Sequence, residues 1–202
     1  MRRARLSALL PATVLLFSGC AFTRESIRLE PPTLVTSAVA GAEAIAVQVT
    51  VHDFRPNQDD VVAWKINGWG HQGAPISSET PVPEVLAGAL TNGLKGRGYR
   101  VTADAPAVLL VELFVFSHEF RTGFWHGQSE AQVTFLATVR DRGGRELFRQ
   151  VVTEPFSHPI QLASGANVKK AYEAALGAAV ERLVTWEGLH QALAATVAPP
   201  VL

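Results

Sequence analysis

Few side chains in these 202 residues are placed to do chemistry. The strongest nucleophile by type is the single cysteine, Cys20. Six histidines invite metal binding or proton transfer. His118 and Glu119 are adjacent and His126 follows, but there is no His-Glu-x-x-His pair and no cysteine set at metal-ligand spacing. Scattered surface and loop histidines are expected, and no metal. Ser117-His118 and Ser157-His158 set a hydroxyl beside a base, yet neighbours on a strand point to opposite faces. No Gly-x-Ser-x-Gly elbow is present. Glu112 interrupts an apolar stretch and would have a raised pKa if buried; a structural role is expected of it. Gly68-Trp69-Gly70 and Gly96-Arg97-Gly98 are partial glycine patterns that make no phosphate cradle. No catalytic residue, no cofactor and no enzyme activity are expected. The remaining candidates are aromatic. Trp64, Trp69, Phe124 and Trp125 fall in or beside irregular segments rather than on core stripes, the placement of side chains that anchor a protein partner or sit at a membrane interface.

Cys20 gains its meaning from what precedes it. Arg2, Arg3 and Arg5 are followed by an apolar run from Leu6 to Phe17. That is the layout of a secretory signal over residues 1–19, and it falls short of the ~20 apolar residues of a spanning helix. Phe17-Ser18-Gly19-Cys20 resembles a bacterial lipobox. The resemblance implies that the Cys20 thiol receives a diacylglyceryl group and becomes the new N-terminus. A single acyl chain holds a protein only marginally, so a diacyl anchor should retain it firmly. Ala21 rather than aspartate follows the cysteine, which by the same resemblance implies lipid anchoring in the outer membrane, facing the periplasm of a diderm bacterium.

The full chain carries 18 basic and 18 acidic residues. Loss of the signal removes three arginines and leaves the mature chain slightly acidic, with no basic excess for nucleic acid. Without a second cysteine no internal disulfide can form, and stability must come from packing.

Residues 20–43 read as the lipidated N-terminus and a flexible tether, because Glu30-Pro31-Pro32 favours extended chain and 38–42 is small. Residues 44–198 read as one α+β periplasmic domain, with a loose tail at 199–202. Ile45, Val47, Val49 and Val51 alternate with more polar residues, as a half-buried strand does. Val61 to Ile66 fits a short strand, Asn67-Gly68 a turn and 69–73 a loop. Thr80 and Pro81 open a helix whose apolar stripe is Val82, Val85, Leu86, Ala89, Leu90 and Leu94, ending at Gly96 or Gly98. Tyr99 to Thr102 fits a short edge strand. Ala107 to His118 is apolar on both faces and predicts a central strand covered on both sides, before a loop over 119–128. Ala131 to Val139 alternates, Asp141-Arg142-Gly143-Gly144 turns, and Leu147 to Thr153 returns, with a polar solvent face. After a loop through Pro155 and Pro159, Ser164 or Asn167 caps a helix with Val168, Ala171, Tyr172, Ala175, Ala179 and Leu183 on one face. A last piece near 186–196 continues it or bends at Gly188. The order β-α-β-β-β-β-α predicts a mixed sheet of four to six strands with two main helices packed mostly on one face.

Val51-His52-Asp53-Phe54-Arg55, the Leu90 to Val101 stretch closing in Gly-Tyr-Arg-Val, Ala107 to Leu113, and the Asn167-Val168 helix start together resemble the YajG family of periplasmic lipoproteins. That resemblance implies no enzymatic activity. It marks Asp53 and Arg55 as a recurring pair of unknown role. The expected function is a non-catalytic lipoprotein that is held to the membrane by its N-terminal lipid. It would bind another cell-envelope component through the aromatic loop surface, in transport or assembly. The other reading is a carrier or sensor of a small apolar or glycan ligand, with the same aromatics lining a pocket.

Overall fold

A computed structural model describes residues 23–34, 36–67, 69–121, 123 and 126–197. The signal peptide, Cys20, Phe124, Trp125 and the tail at 199–202 lie outside the described residues. Among the described residues eight strands and three α-helices follow one another. They are β1 (Glu25–Ile27), β2 (Ala46–Asp53), β3 (Val61–Ile66), β4 (Gln72–Ser78), α1 (Val82–Gly96), β5 (Arg100–Val101), β6 (Ala107–Arg121), β7 (Gly127–Arg140), β8 (Glu146–Ile160), α2 (Gly165–Val184) and α3 (Glu187–Ala195). A five-stranded sheet runs β5-β2-β6-β7-β8 and a three-stranded sheet β1-β4-β3. β2 pairs in parallel with β5 and β6, whereas β6, β7 and β8 are antiparallel. The mixed α+β architecture with two main helices is the one the periodicities predict. The second sheet is additional. β4 contains Gly73 and Pro75 and has no clear alternation, so its sequence reads as loop, yet it pairs with β3 from Val61–Ser77 to Ile66–Gln72.

The two predicted helical stripes form the core. Val82, Val85, Leu86, Ala89, Leu90 and Leu94 of α1 are all buried, as are Val168, Ala171, Tyr172, Ala175, Ala179 and Leu183 of α2. Each fully buried leucine contributes roughly 1.5–3 kcal/mol. The alanines let α2 lie close on β7 and β8. α1 ends as the glycine pattern predicts. Gly98, at φ 96°, donates to Lys95 O at 2.9 Å and Tyr99 donates to Leu94 O at 3.1 Å, a Schellman cap. At the other end Thr80 does not cap, because Pro81 occupies the cap position. The chain breaks between α2 and α3 at Thr185-Trp186 rather than at Gly188.

The expected tether is instead part of the fold from Glu25 onward. β1 joins the small sheet beside β4, and Leu29 is 2% exposed. The following segment lies as an extended strap in the groove between α1 and α2. A methyl group added to Gly88 would stand 2.6 Å from Pro31 Cγ, and one on Gly96 2.5 Å from Thr36 Oγ1. The strap's far end is pinned by Arg97, which donates to Ser37 O at 2.7 Å and accepts from the Val39 N–H at 2.9 Å. Glu30-Pro31-Pro32 is thus extended, as its composition predicts, but packed rather than flexible.

The long strands also exceed their expected bounds. β6 runs on to Arg121 and β7 starts at Gly127. β8 continues through Pro155 and Pro159, which an edge strand tolerates because their missing N–H groups can face away from β7. β6 is not covered by helices on both faces. Ala107, Leu109, Val111 and Leu113 are buried under the helices, while Val108, Leu110 and Glu112 on the other face are only half-buried.

Candidate functional site

A β-bulge in β6 decides which side chains face where. The ladder with β7 skips a residue between Leu113–Phe135 and Val115–Thr134. One extra residue reverses the inside-outside phase of the strand. Before the bulge odd-numbered residues face the helices; beyond it Phe116, His118 and Phe120 do, and Phe116 and Phe120 are buried. Phe114, the extra residue, stays on the opposite face with Val108, Leu110 and Glu112. There it stacks on Phe54 with ring centroids 6.1 Å apart, and His52 meets Phe54 edge-on at 6.3 Å. Phe54 is 52% and Phe114 39% exposed.

Among the described residues no helix covers this face of the five-stranded sheet. Leu136 is opposite Glu112 and Val151, and Thr138 opposite Leu110 and Arg149. Leu136 and Thr138 are buried between these neighbours in the sheet, whereas Val151 is exposed. Beyond the bulge the face becomes polar. Ser117, Glu119, Arg121, Glu130, Gln132 and Ser157, among others, line a trough of about 440 Å³, bordered by Pro155 and Phe156. Arg121 Nε contacts Glu130 Oε2 at 2.8 Å across its floor. An apolar aromatic patch therefore adjoins a charged trough on one open sheet surface.

On the inner side of the same strands a polar cluster is sealed under the start of α2. His118 Nε2 meets Ser129 Oγ at 2.7 Å, and Ser129 Oγ donates to Asn167 O at 3.2 Å. His158 Nε2 meets Asn167 Oδ1 at 3.3 Å, while Asn167 Nδ2 donates to Leu162 O at 2.8 Å. With Ser129 donating to a carbonyl and Asn167 Oδ1 accepting, both imidazoles carry their proton on Nε2. Both Nδ1 atoms are buried without a partner. Burial pushes the His118 pKa down to about 4, with a smaller contribution from the nearby His158. A serine beside a neutral histidine has the composition of a nucleophile and its base. Ser129, however, is 0% exposed, so no substrate can reach it. Sequence reasoning paired His118 with Ser117 and with His126; the fold instead places Ser117 in the trough, His118 inside and His126 in the β6–β7 loop. Ser129 and Asn167 left no signal, because only the shifted register brings them to His118.

Asp53 and Arg55 form a tight pair at the end of β2. Arg55 Nε donates to Asp53 Oδ1 at 2.9 Å and its Nη2 to Oδ2 at 2.8 Å, and the Arg55 backbone N–H adds a third bond at 3.1 Å. Arg55 is 6% exposed. Burial alone would raise the Asp53 pKa, but the hydrogen bonds and charge of Arg55 hold the carboxyl below the usual range. The pair has the geometry of a structural clamp.

Of the predicted aromatics, Trp64 lies within β3 and is 46% exposed, and Trp69 stands 84% exposed at the β3–β4 turn. Ile66 and Asn67 line a cleft of about 250 Å³ together with Gly123 and His126, Ile160 and Leu162. Among the described residues no group of three or more metal-ligating side chains comes together, and no helix is long and apolar enough to cross a membrane.

Residues 32–194 match a family described as an uncharacterized lipoprotein. The chain belongs to that family. Membership gives it lipoprotein character and, with it, attachment to a membrane of the cell envelope. No curated protein matches the chain. Among solved structures, a Xanthomonas campestris protein aligns at a TM-score of 0.58 and 14% identity, covering 87% of this chain and 100% of its own. That likeness shows a shared fold. A minor lipoprotein from Acinetobacter baumannii aligns at a TM-score of 0.42 and 10% identity, covering 72% of this chain and 94% of its own. A lipoprotein from Neisseria meningitidis aligns at 0.36 and 12% identity, covering 66% and 96%.

Proposed function

We propose that this lipoprotein is a non-catalytic accessory of the outer membrane, acylated on Cys20 and facing the periplasm, that binds another protein of the envelope through the open face of its five-stranded sheet. The observation that supports this reading is the Phe54–Phe114 stack, exposed on a face that no described helix covers. Aromatic anchors beside a rim of arginine, glutamate and glutamine have the composition of a protein interface. The Asp53–Arg55 clamp would then hold Phe54 in place from beneath. Trp69, at the β3–β4 turn, belongs to a second surface in this reading. The trough has the size of a ligand site, but ligand pockets are mostly apolar, and this lining suits a glycan far better than an apolar ligand.

Photo-crosslinkers placed at Phe54 and Val151 in the native envelope should trap the same discrete protein, and a crosslinker at the helix-face position Ala178 should not. The Phe114→Asp variant, folded to the same thermal midpoint, should lose the adduct. Equal trapping at Ala178, or an adduct that survives Phe114→Asp, overturns the assignment of this face. A glycan retained by the purified protein and lost on Glu130→Ala would favour ligand carriage instead.

A further inference from the structure

The direction in which the chain enters the fold decides which end of the molecule faces its anchor. β1 pairs in parallel with β4, Glu25 opposite Ile76 and Ile27 opposite Ser78. The chain upstream of Glu25 therefore comes from the end where β4 begins, beside the β3–β4 turn. Glu25 is fixed in the small sheet, its carboxylate 3.0 Å from the Lys65 ammonium. Cys20 precedes Glu25 by five residues, a reach of about 18 Å at full extension. The level of Glu25 is itself about 13 Å along the strand from that of Gln72. An acylated Cys20 can therefore stand at most about 5 Å beyond the level of Gln72 at the β3–β4 turn, which leaves no gap deep enough for a folded protein between that end and a bilayer facing it.

That end is also where large apolar side chains stand in water. Trp69 is 84% exposed at the turn and Leu162 62% exposed in the β8–α2 loop. Leu162 lines the same cleft as Ile66 and Asn67 of the turn. The turn is braced rather than loose. Asn67 Oδ1 accepts from the backbone N–H groups of Trp69 at 3.0 Å and His71 at 2.9 Å, and the Asn67 N–H donates to His71 O at 2.9 Å. Gly70, at φ 80°, completes it. Trp69 is presented outward by a satisfied backbone, so little ordering is lost when it is buried.

We infer that this end of the domain rests on the bilayer that holds its anchor, with Trp69 and Leu162 seated at headgroup level. The inference rests on the assignment of Cys20 as lipid acceptor. Tryptophan is enriched at membrane–water interfaces because its ring is apolar and its N–H polar. The occupant is the membrane rather than a protein, because the short link from Cys20 to Glu25 sets the separation. The domain is then held at a fixed tilt, not swung on a tether.

The test uses the native acylated chain in vesicles of phosphatidylethanolamine and phosphatidylglycerol, with and without dibrominated acyl chains. Trp69 emission is taken as the difference between wild type and Trp69→Phe. The expected result is flotation with the vesicles, a blue shift of that emission, strong quenching by the brominated lipid and weak quenching by aqueous acrylamide. Flotation with Trp69 still open to acrylamide and untouched by bromine overturns the docking and leaves the anchor in place. Shielding from acrylamide without bromine quenching also overturns it, since something other than lipid then covers the turn. Failure of the wild-type chain to float removes the acylation on which the docking depends.

Discussion

The Tyr172 hydroxyl donates to the Val62 carbonyl at 2.6 Å and so ties α2 to β3, joining the helical layer to the small sheet. The Tyr172 ring is fully buried and stacks on Phe116, with centroids 4.0 Å apart and planes 5° from parallel. The hydroxyl also lies 3.4 Å from Phe116 O. One side chain therefore links the seam between the two sheets.

Tyr172→Phe keeps the ring and the stack but leaves a buried carbonyl on β3 without its donor. Such an orphan costs about 1–3 kcal/mol. The expected outcome is a loss of that size in urea unfolding with an unchanged far-ultraviolet circular dichroism spectrum. Burial also pushes the Tyr172 phenol up, opposed weakly by the charge of Arg55. Tyrosinate absorbance should therefore appear from Tyr99 first, and from Tyr172 only on unfolding.

The strap gives a prediction whose sign runs against helix propensity. Replacing a helical glycine with alanine normally stabilises by about 1 kcal/mol. At Gly88 the added methyl meets the rigid ring of Pro31 at 2.6 Å. Gly88→Ala should lower the thermal midpoint, and Gly88→Ala with Pro31→Ala should recover part of the loss. Additive losses in the double variant would mean that the strap does not occupy this groove.

The two helices and β7 were legible because each of their stripes is set by residues near in sequence: 3.6-residue spacing in Val82 to Leu94 and Val168 to Leu183, alternation in Ala131 to Val139. What was not legible depends on partners far along the chain. Pro31 and Pro32 encode extension, but the groove that receives them is cut by Gly88 and Gly177. Alternation puts Phe116 on the same face as Val108, Leu110 and Phe114 until the bulge turns it inward to Tyr172, leaving Phe114 to meet Phe54 on the open face. The His118–Ser129 contact depends on the same bulge, so periodicity alone gave the elements but not the faces around it.

Asp53 and Arg55 should behave as one unit. Removing either leaves an unpaired charge in a nearly buried position, which costs about 3–5 kcal/mol. Asp53→Asn and Arg55→Met should each destabilise strongly, and the double variant should lose much less than the sum, as a double-mutant cycle in urea would show. The pH effect has a defined sign. The folded Asp53 pKa lies below its unfolded value, so its contribution is complete above about pH 4 and fades as pH falls through the folded value. An Asp53→Asn chain should show a shallower acid limb below pH 4.

His118 sets the next window up. Its folded pKa of about 4 lies below the 6.5 of an unperturbed histidine. Between these values the unfolded chain binds the extra proton and the folded chain does not, so stability rises with pH across the window. The contribution is fully present above about pH 6.5 and is withdrawn progressively as pH falls toward 4, amounting to on the order of 3 kcal/mol. The cause is burial first and the neighbouring His158 second. His118→Gln retains an amide that can donate to Ser129 Oγ but cannot take the proton. It should flatten the stability profile between pH 6.5 and 4 while leaving stability at pH 8 within about 1 kcal/mol of wild type. Urea midpoints taken at half-unit steps would show this. An unchanged slope in the variant would mean that His118 is not the group that titrates there, and that the cluster under α2 is already open to water.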